Sequence, residues 1–84
     1  MYRITFKKSA QKELAEIPKP FNQNIATSID NLAENPRPDG VKKLKGEYNA
    51  YRIRVGDYRI IYTIEDVIKI VEIQRIRHRK DAYR

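Results

Sequence analysis

The sequence contains no cysteine, a single histidine and no apolar run long enough to span a membrane. Without cysteine, neither a disulfide framework nor a thiolate metal site can form, and the chain suits a reducing compartment. His78 alone cannot make a metal-ligand cluster of the usual spacing, so metal catalysis is not expected, and no cofactor is implied. The N-terminal stretch MYRITFKKSAQKE lacks the apolar segment of a signal peptide. The expectation is a cytoplasmic protein with no membrane partner. At 84 residues the chain has room for one domain, spanning 1–84, close to the size at which a single core is marginal.

Negative charge is also scarce relative to positive: 18 Lys+Arg face 11 Asp+Glu, a net charge of +7. The excess is uneven, since residues 1–40 carry a net of +1 and residues 41–84 a net of +6. Five of the six tyrosines share the basic half. Basic residues interleaved with aromatics are what phosphate contacts and base stacking require. Acidic lipid is the weaker partner, because the arginines fall on strand patterns rather than on an amphipathic helix.

The stretch YRIRVGDYRIIY, residues 51–62, shows this most sharply. Gly56 and Asp57 interrupt two alternating runs, the signature of a two-residue hairpin loop in which Gly56 takes φ > 0. Pairing outward sets Val55 against Tyr58, Arg54 against Arg59, Ile53 against Ile60, Arg52 against Ile61 and Tyr51 against Tyr62. Side chains alternate along a strand, so Tyr51, Ile53, Val55, Tyr58, Ile60 and Tyr62 form the core face, and Arg52, Arg54 and Arg59 the other. Directly opposed like charges destabilise a strand pair by up to about 1 kcal/mol. An unmixed arginine cluster therefore reads as an anion-binding face rather than a solvated one.

Elsewhere YRITF alternates as a first strand, and Ser9 is a plausible cap for a helix carrying Ala10, Leu14 and Ile17 until PKP interrupts. Pro20 restarts a second helix with Phe21, Ile25, Ile29 and Leu32 on one stripe, closed by Asn35 before Pro36. NPRPDG is a loop, and VKKLKG a short extended approach with Leu44 inward. Glu65 and Asp66 read as a second turn before VIKIVEIQRIR, whose start is apolar on both faces and so predicts a central strand. The fold class is α+β, in the order βααβββ: an antiparallel sheet with a two-helix hairpin packed on one face. Arg75 and Arg77 share one phase of the last strand, but whether they join the hairpin arginines depends on a register left open.

KLKG at Lys43–Gly46, YRIRVGDYRIIY and the ending RHRKDAY together resemble the RelE branch of the RelE/ParE toxin superfamily, along essentially the whole chain. The resemblance implies the toxin of a type II toxin–antitoxin pair, with a cognate antitoxin as partner, acting with the ribosome on mRNA in the A site. It implies metal-free transesterification: the ribose 2′-OH attacks the adjacent phosphate, giving a 2′,3′-cyclic phosphate and a 5′-OH. Such chemistry needs a base, cations for the phosphorane and an acid for the leaving oxygen. Position by position, the implied catalytic set is Arg52, Arg54, Arg59, Arg77 and Tyr83, with His78 added for its intrinsic pKa.

The best-known members carry lysine where Arg52 and Arg54 stand. Arginine keeps its proton far above neutral pH, so the general base is left open. Arg54 and Arg59 are assigned to the phosphate as bidentate donors, and Arg52 either to the same task or to positioning the chain. Tyr83 is assigned to base stacking, with proton abstraction as the alternative. For His78 the alternative to proton transfer is a solvent-exposed residue or phosphate contact. Lys43, Lys45, Arg75, Arg79 and Lys80 are expected to contact RNA or phosphate, affecting affinity rather than chemistry. Two other functions fit the same residues: a ParE-like inhibitor of DNA gyrase, and a non-catalytic RNA-binding module.

Overall fold

A computed structural model of the chain describes residues 1–80. Its elements run β1 (Arg3–Phe6), α1 (Lys8–Ala15), α2 (Phe21–Asn31), β2 (Lys42–Lys43), β3 (Ala50–Val55), β4 (Tyr58–Glu65) and β5 (Ile70–His78). The expected α+β order is present, with the extended approach contributing the two-residue strand β2. The strands form one five-stranded sheet in the order β1-β5-β4-β3-β2. Neighbours from β2 to β5 are antiparallel, as expected. The first strand departs from that expectation: β1 pairs in parallel with β5, so the sheet is mixed at this edge. After β1 the chain crosses through both helices to the far edge, and the β3-β4-β5 meander brings it back running in the β1 direction.

The period-2 and period-3.6 patterns decide what is buried. Ile25, Ile29 and Leu32 of the second helical segment, with Ala10 of α1, pack on Ile53, Ile60, Tyr62, Ile64, Val71, Ile73 and Ile76 of the sheet. Burying each such aliphatic side chain contributes about 1.5–3 kcal/mol, which makes this face the main source of stability. β5 lies between β1 and β4, as its doubly apolar start predicts. Several boundaries differ from expectation. Ser9 lies inside α1 rather than capping it, because the helix already begins at Lys8. Helix α2 ends at Asn31, about a turn before Asn35. Val67 and Ile68 are exposed in the turn ahead of β5, at 95% and 64%. Leu44, expected inward, is half-buried but outside the set packed on the core.

The hairpin register is the one the alternation predicts, from Val55↔Tyr58 to Tyr51↔Tyr62. Gly56 has φ +59°, the left-handed conformation the two-residue loop demands. Between β4 and β5 the register shifts: Ile61 faces Arg75, whereas Tyr62 faces Ile73. Gln74 is the extra residue, and the bulge lies on the strand that carries the last arginines.

Candidate active site

The registers turn a list of cations into rows on the sheet face away from the helices. Arg54 pairs with Arg59, and Arg59 with Arg77, so the three stand side by side across β3, β4 and β5. With strands about 4.8 Å apart, the row spans about 10 Å between its outer backbones. Two residues along, Lys42, Arg52, Ile61 and Arg75 make a second row. The open question is thereby answered: Arg75 and Arg77 share the face of Arg52, Arg54 and Arg59. Arg54 and Arg75 are exposed, while Arg52, Arg59 and Arg77 are half-buried.

At the hairpin end of the row, a cavity of ≈ 250 Å³ is lined by Arg54, Gly56, Asp57, Arg59 and Arg79. The backbone N–H of Arg79 donates to the Asp57 carbonyl at 2.7 Å. Its guanidinium lies 3.9 Å from Asp57 Oδ1, which draws a further cation to the cavity mouth. Arginines set side by side on neighbouring strands repel one another and together offer a multivalent seat for phosphate oxygens.

The structure does not bring every expected residue to this place. His78 follows Arg77 and therefore projects from the opposite face, where it pairs with Tyr58. Its ring meets the Tyr58 ring edge-on at 5.1 Å, and its Nδ1 accepts the Lys80 N–H at 3.1 Å. With Glu13, Glu16 and Ile17 it lines a separate cavity under α1. His78 thus stands on the sheet face opposite the Arg54–Arg59 pair, and it shares the lining of that cavity with Arg77. Lys43 pairs with Tyr51, so it belongs to the helix side of the edge strand. Lys45 lies in the following turn beside Tyr48, which is 87% exposed, and Lys80 is exposed beyond β5. Tyr83 falls outside the described residues. Sequence reasoning passed over Ile61, the apolar centre of the second row, and Gln74, whose place depends on a bulge with no sequence mark.

Residues 4–83 match the family described as the ParE toxin of a type II toxin–antitoxin system. The chain belongs to this RelE/ParE toxin superfamily. Among its relatives, toxin RelE3 of Methanocaldococcus jannaschii is 34% identical over 85 residues, covering 96% of this chain and 94% of that one. The RelE–RelB complex of Pyrococcus horikoshii contains a chain that superposes with a TM-score of 0.83 at 32% identity, covering 93% of this chain and 94% of that one. The isolated Escherichia coli RelE toxin shares the fold, with a TM-score of 0.81 at 21% identity and coverage of 99% and 96%.

One polar cluster of the toxin lies away from the arginine face. Arg37, in the loop before β2, grips Asp66 in the β4–β5 turn through two hydrogen bonds of 3.2 and 2.9 Å. The Tyr2 hydroxyl donates to the same carboxylate at 2.7 Å, and the Arg37 guanidinium lies over the Tyr51 ring at 5.0 Å. These donors, Arg37 first, hold the Asp66 carboxyl down at about 2. Beneath them the buried Tyr62 hydroxyl donates to the Pro36 carbonyl at 2.7 Å, and burial pushes its pKa well above the ordinary phenol value. This cluster ties the α2–β2 loop to the sheet.

Proposed function

We propose that this toxin is a ribosome-dependent, metal-independent mRNA endonuclease. The observation that supports it best is the row Arg54–Arg59–Arg77, three guanidiniums on neighbouring strands of one open face. In this reading the 2′-oxygen forms its bond to phosphorus as the P–O5′ bond breaks. The 2′ proton passes to a base, and the departing 5′-oxygen takes up a proton. Arg54, Arg59 and Arg77 hold the non-bridging oxygens, whose charge grows in the phosphorane, and the gain is largest in the transition state. Guanidiniums keep their protons, so the base is not one of them. Arg52 and Arg75 position the flanking chain, and Tyr83 stacks on a base. Lys43, Lys45, Arg79 and Lys80 add affinity for RNA. The chain acts in the cytoplasm.

The partner follows from the same face. The Pyrococcus relative is seen with RelB. We assign to this toxin a cognate antitoxin whose acidic segment covers the arginines, so co-expression with the product of the adjacent gene should yield a stable complex. The activity is tested by incubating purified toxin with mRNA, with and without translating ribosomes. Ribosome-dependent fragments ending in 2′,3′-cyclic phosphate are expected; none from soluble, folded protein would refute the reading. Because the matched family is described by its ParE member, a second reading is poisoning of DNA gyrase. It requires trapped gyrase–DNA cleavage upon expression, and translation arrest with intact DNA rules it out.

A further inference from the structure

The bulge in β5 sets a polar group onto the arginine face where simple alternation would not. Gln74 and Arg75 together face Ile61 and Tyr62 on β4. The Gln74 Nε2 donates to Glu72 Oε1 at 2.8 Å and to Thr63 Oγ1 at 3.2 Å, while Thr63 and Glu72 are themselves cross-strand partners. Among the described residues no donor meets Gln74 Oε1. Moving along β5 from Arg77, Glu72 is the first acid on this face. A carboxylate there opposes phosphate binding, and it is half-buried rather than splayed into solvent.

Between this trio and the phosphate row stands Ile61, half-exposed, with Arg52 and Arg75 on either side and Arg59 and Thr63 before and after it on β4. An apolar side chain with cations on three sides is a poor phosphate contact and a good surface for a base. Thr63 is four residues from Arg59, about 13 Å along the strand. A nucleotide with its phosphate on the arginine row can therefore lie across Ile61 and present its base edge to Glu72 and Gln74.

We infer that Ile61, Thr63, Gln74 and Glu72 form a nucleobase seat that selects bases carrying an exocyclic amino group over uracil. The inference rests on the endonuclease reading for its biological use and names the base selectivity of that site. Glu72 and Gln74 Oε1 offer acceptors. The amino groups of cytosine, adenine and guanine donate to them, whereas uracil places a carbonyl oxygen where cytosine has its amino group. Ile61 supplies the sequence-independent packing, and the carboxylate supplies the choice.

The test uses uncleavable 2′-O-methyl trinucleotides, identical except for cytosine or uracil at one position, titrated into the purified full chain and read by NMR at the Ile61 δ1-methyl. The cytosine form is expected to bind about tenfold more tightly, the lower range of discrimination by one good base contact. Glu72→Gln keeps the side-chain shape and an acceptor for Gln74 but removes the charge, and it should lower the ratio toward one by weakening the cytosine form. Gln74→Leu should lower the ratio as well, which keeps the test decisive if the first variant does not fold. Equal affinities in the wild type, an Ile61 methyl unmoved at saturation, or a ratio unchanged in a folded variant overturns the seat. Since these oligonucleotides are not cut, the result stands apart from the nuclease assay. Selective binding without cleavage on ribosomes keeps the seat and removes the endonuclease, whereas cleavage without selective binding removes the seat alone.

Discussion

Arg59 is the middle member of the Arg54–Arg59–Arg77 row, so any phosphate bound across the row must meet it. Removing one preorganised donor from a developing oxyanion typically slows a reaction by about 10²–10³-fold. Arg59→Ala is expected to reduce single-turnover cleavage on ribosomes by that amount, and Arg59→Lys by less, since charge remains while the planar fork is lost. Equal losses for both would mean that geometry alone matters there. Tyr62 tests a different quantity, the buried hydroxyl that holds the Pro36 carbonyl. Tyr62→Phe leaves that carbonyl unpaired and should destabilise the fold by about 1–3 kcal/mol in urea titration, with the arginine face intact.

At the scale of elements, the β3–β4 hairpin was legible because two local signals agree: strict alternation and a Gly-Asp loop that admits φ > 0. Gly56→Ala meets no steric obstacle, yet it must adopt φ near +59°, so it should destabilise by about 1–2 kcal/mol in thermal melts. The parallel β1–β5 pairing was not legible, since it joins Arg3 to Ile70 across most of the chain and leaves no periodic trace. The β5 bulge escaped for a related reason, because an extra residue is fixed by cross-strand fit rather than by residue type. The side of the sheet on which His78 stands follows from the strand register, since neighbours in sequence on a strand point to opposite faces. The Arg37–Asp66 clasp was equally silent, two exposed residues whose loops meet only in the fold. Its pH signature follows from a depressed acid: the stabilisation is present above the ordinary carboxyl value of 3.8 and lost as pH falls toward about 2. The stability gap between wild type and Asp66→Asn should therefore be constant at neutral pH and close between pH 4 and 2, measured by chemical denaturation. A gap unchanged down to pH 2 would show that the clasp does not act through charge.

For the whole molecule, the net charge of +7 and its concentration in the second half predict association governed by counterion release. The toxin's affinity for ribosomes should fall steeply with salt, and removing one phosphate-contacting arginine should reduce the slope of log affinity against log salt by about 0.7–1. Under the proposed function the same field would also draw an acidic antitoxin segment, and one face would then serve both activity and its neutralisation. The most direct test of the account is primer extension on mRNA held in ribosomes with an empty A site, comparing wild type, Arg59→Ala and the same RNA free in solution. Cuts confined to the A-site codon, present only with ribosomes and lost in the variant, are the predicted result. Absence of cuts with folded wild-type toxin, or equal cutting by Arg59→Ala, would contradict it.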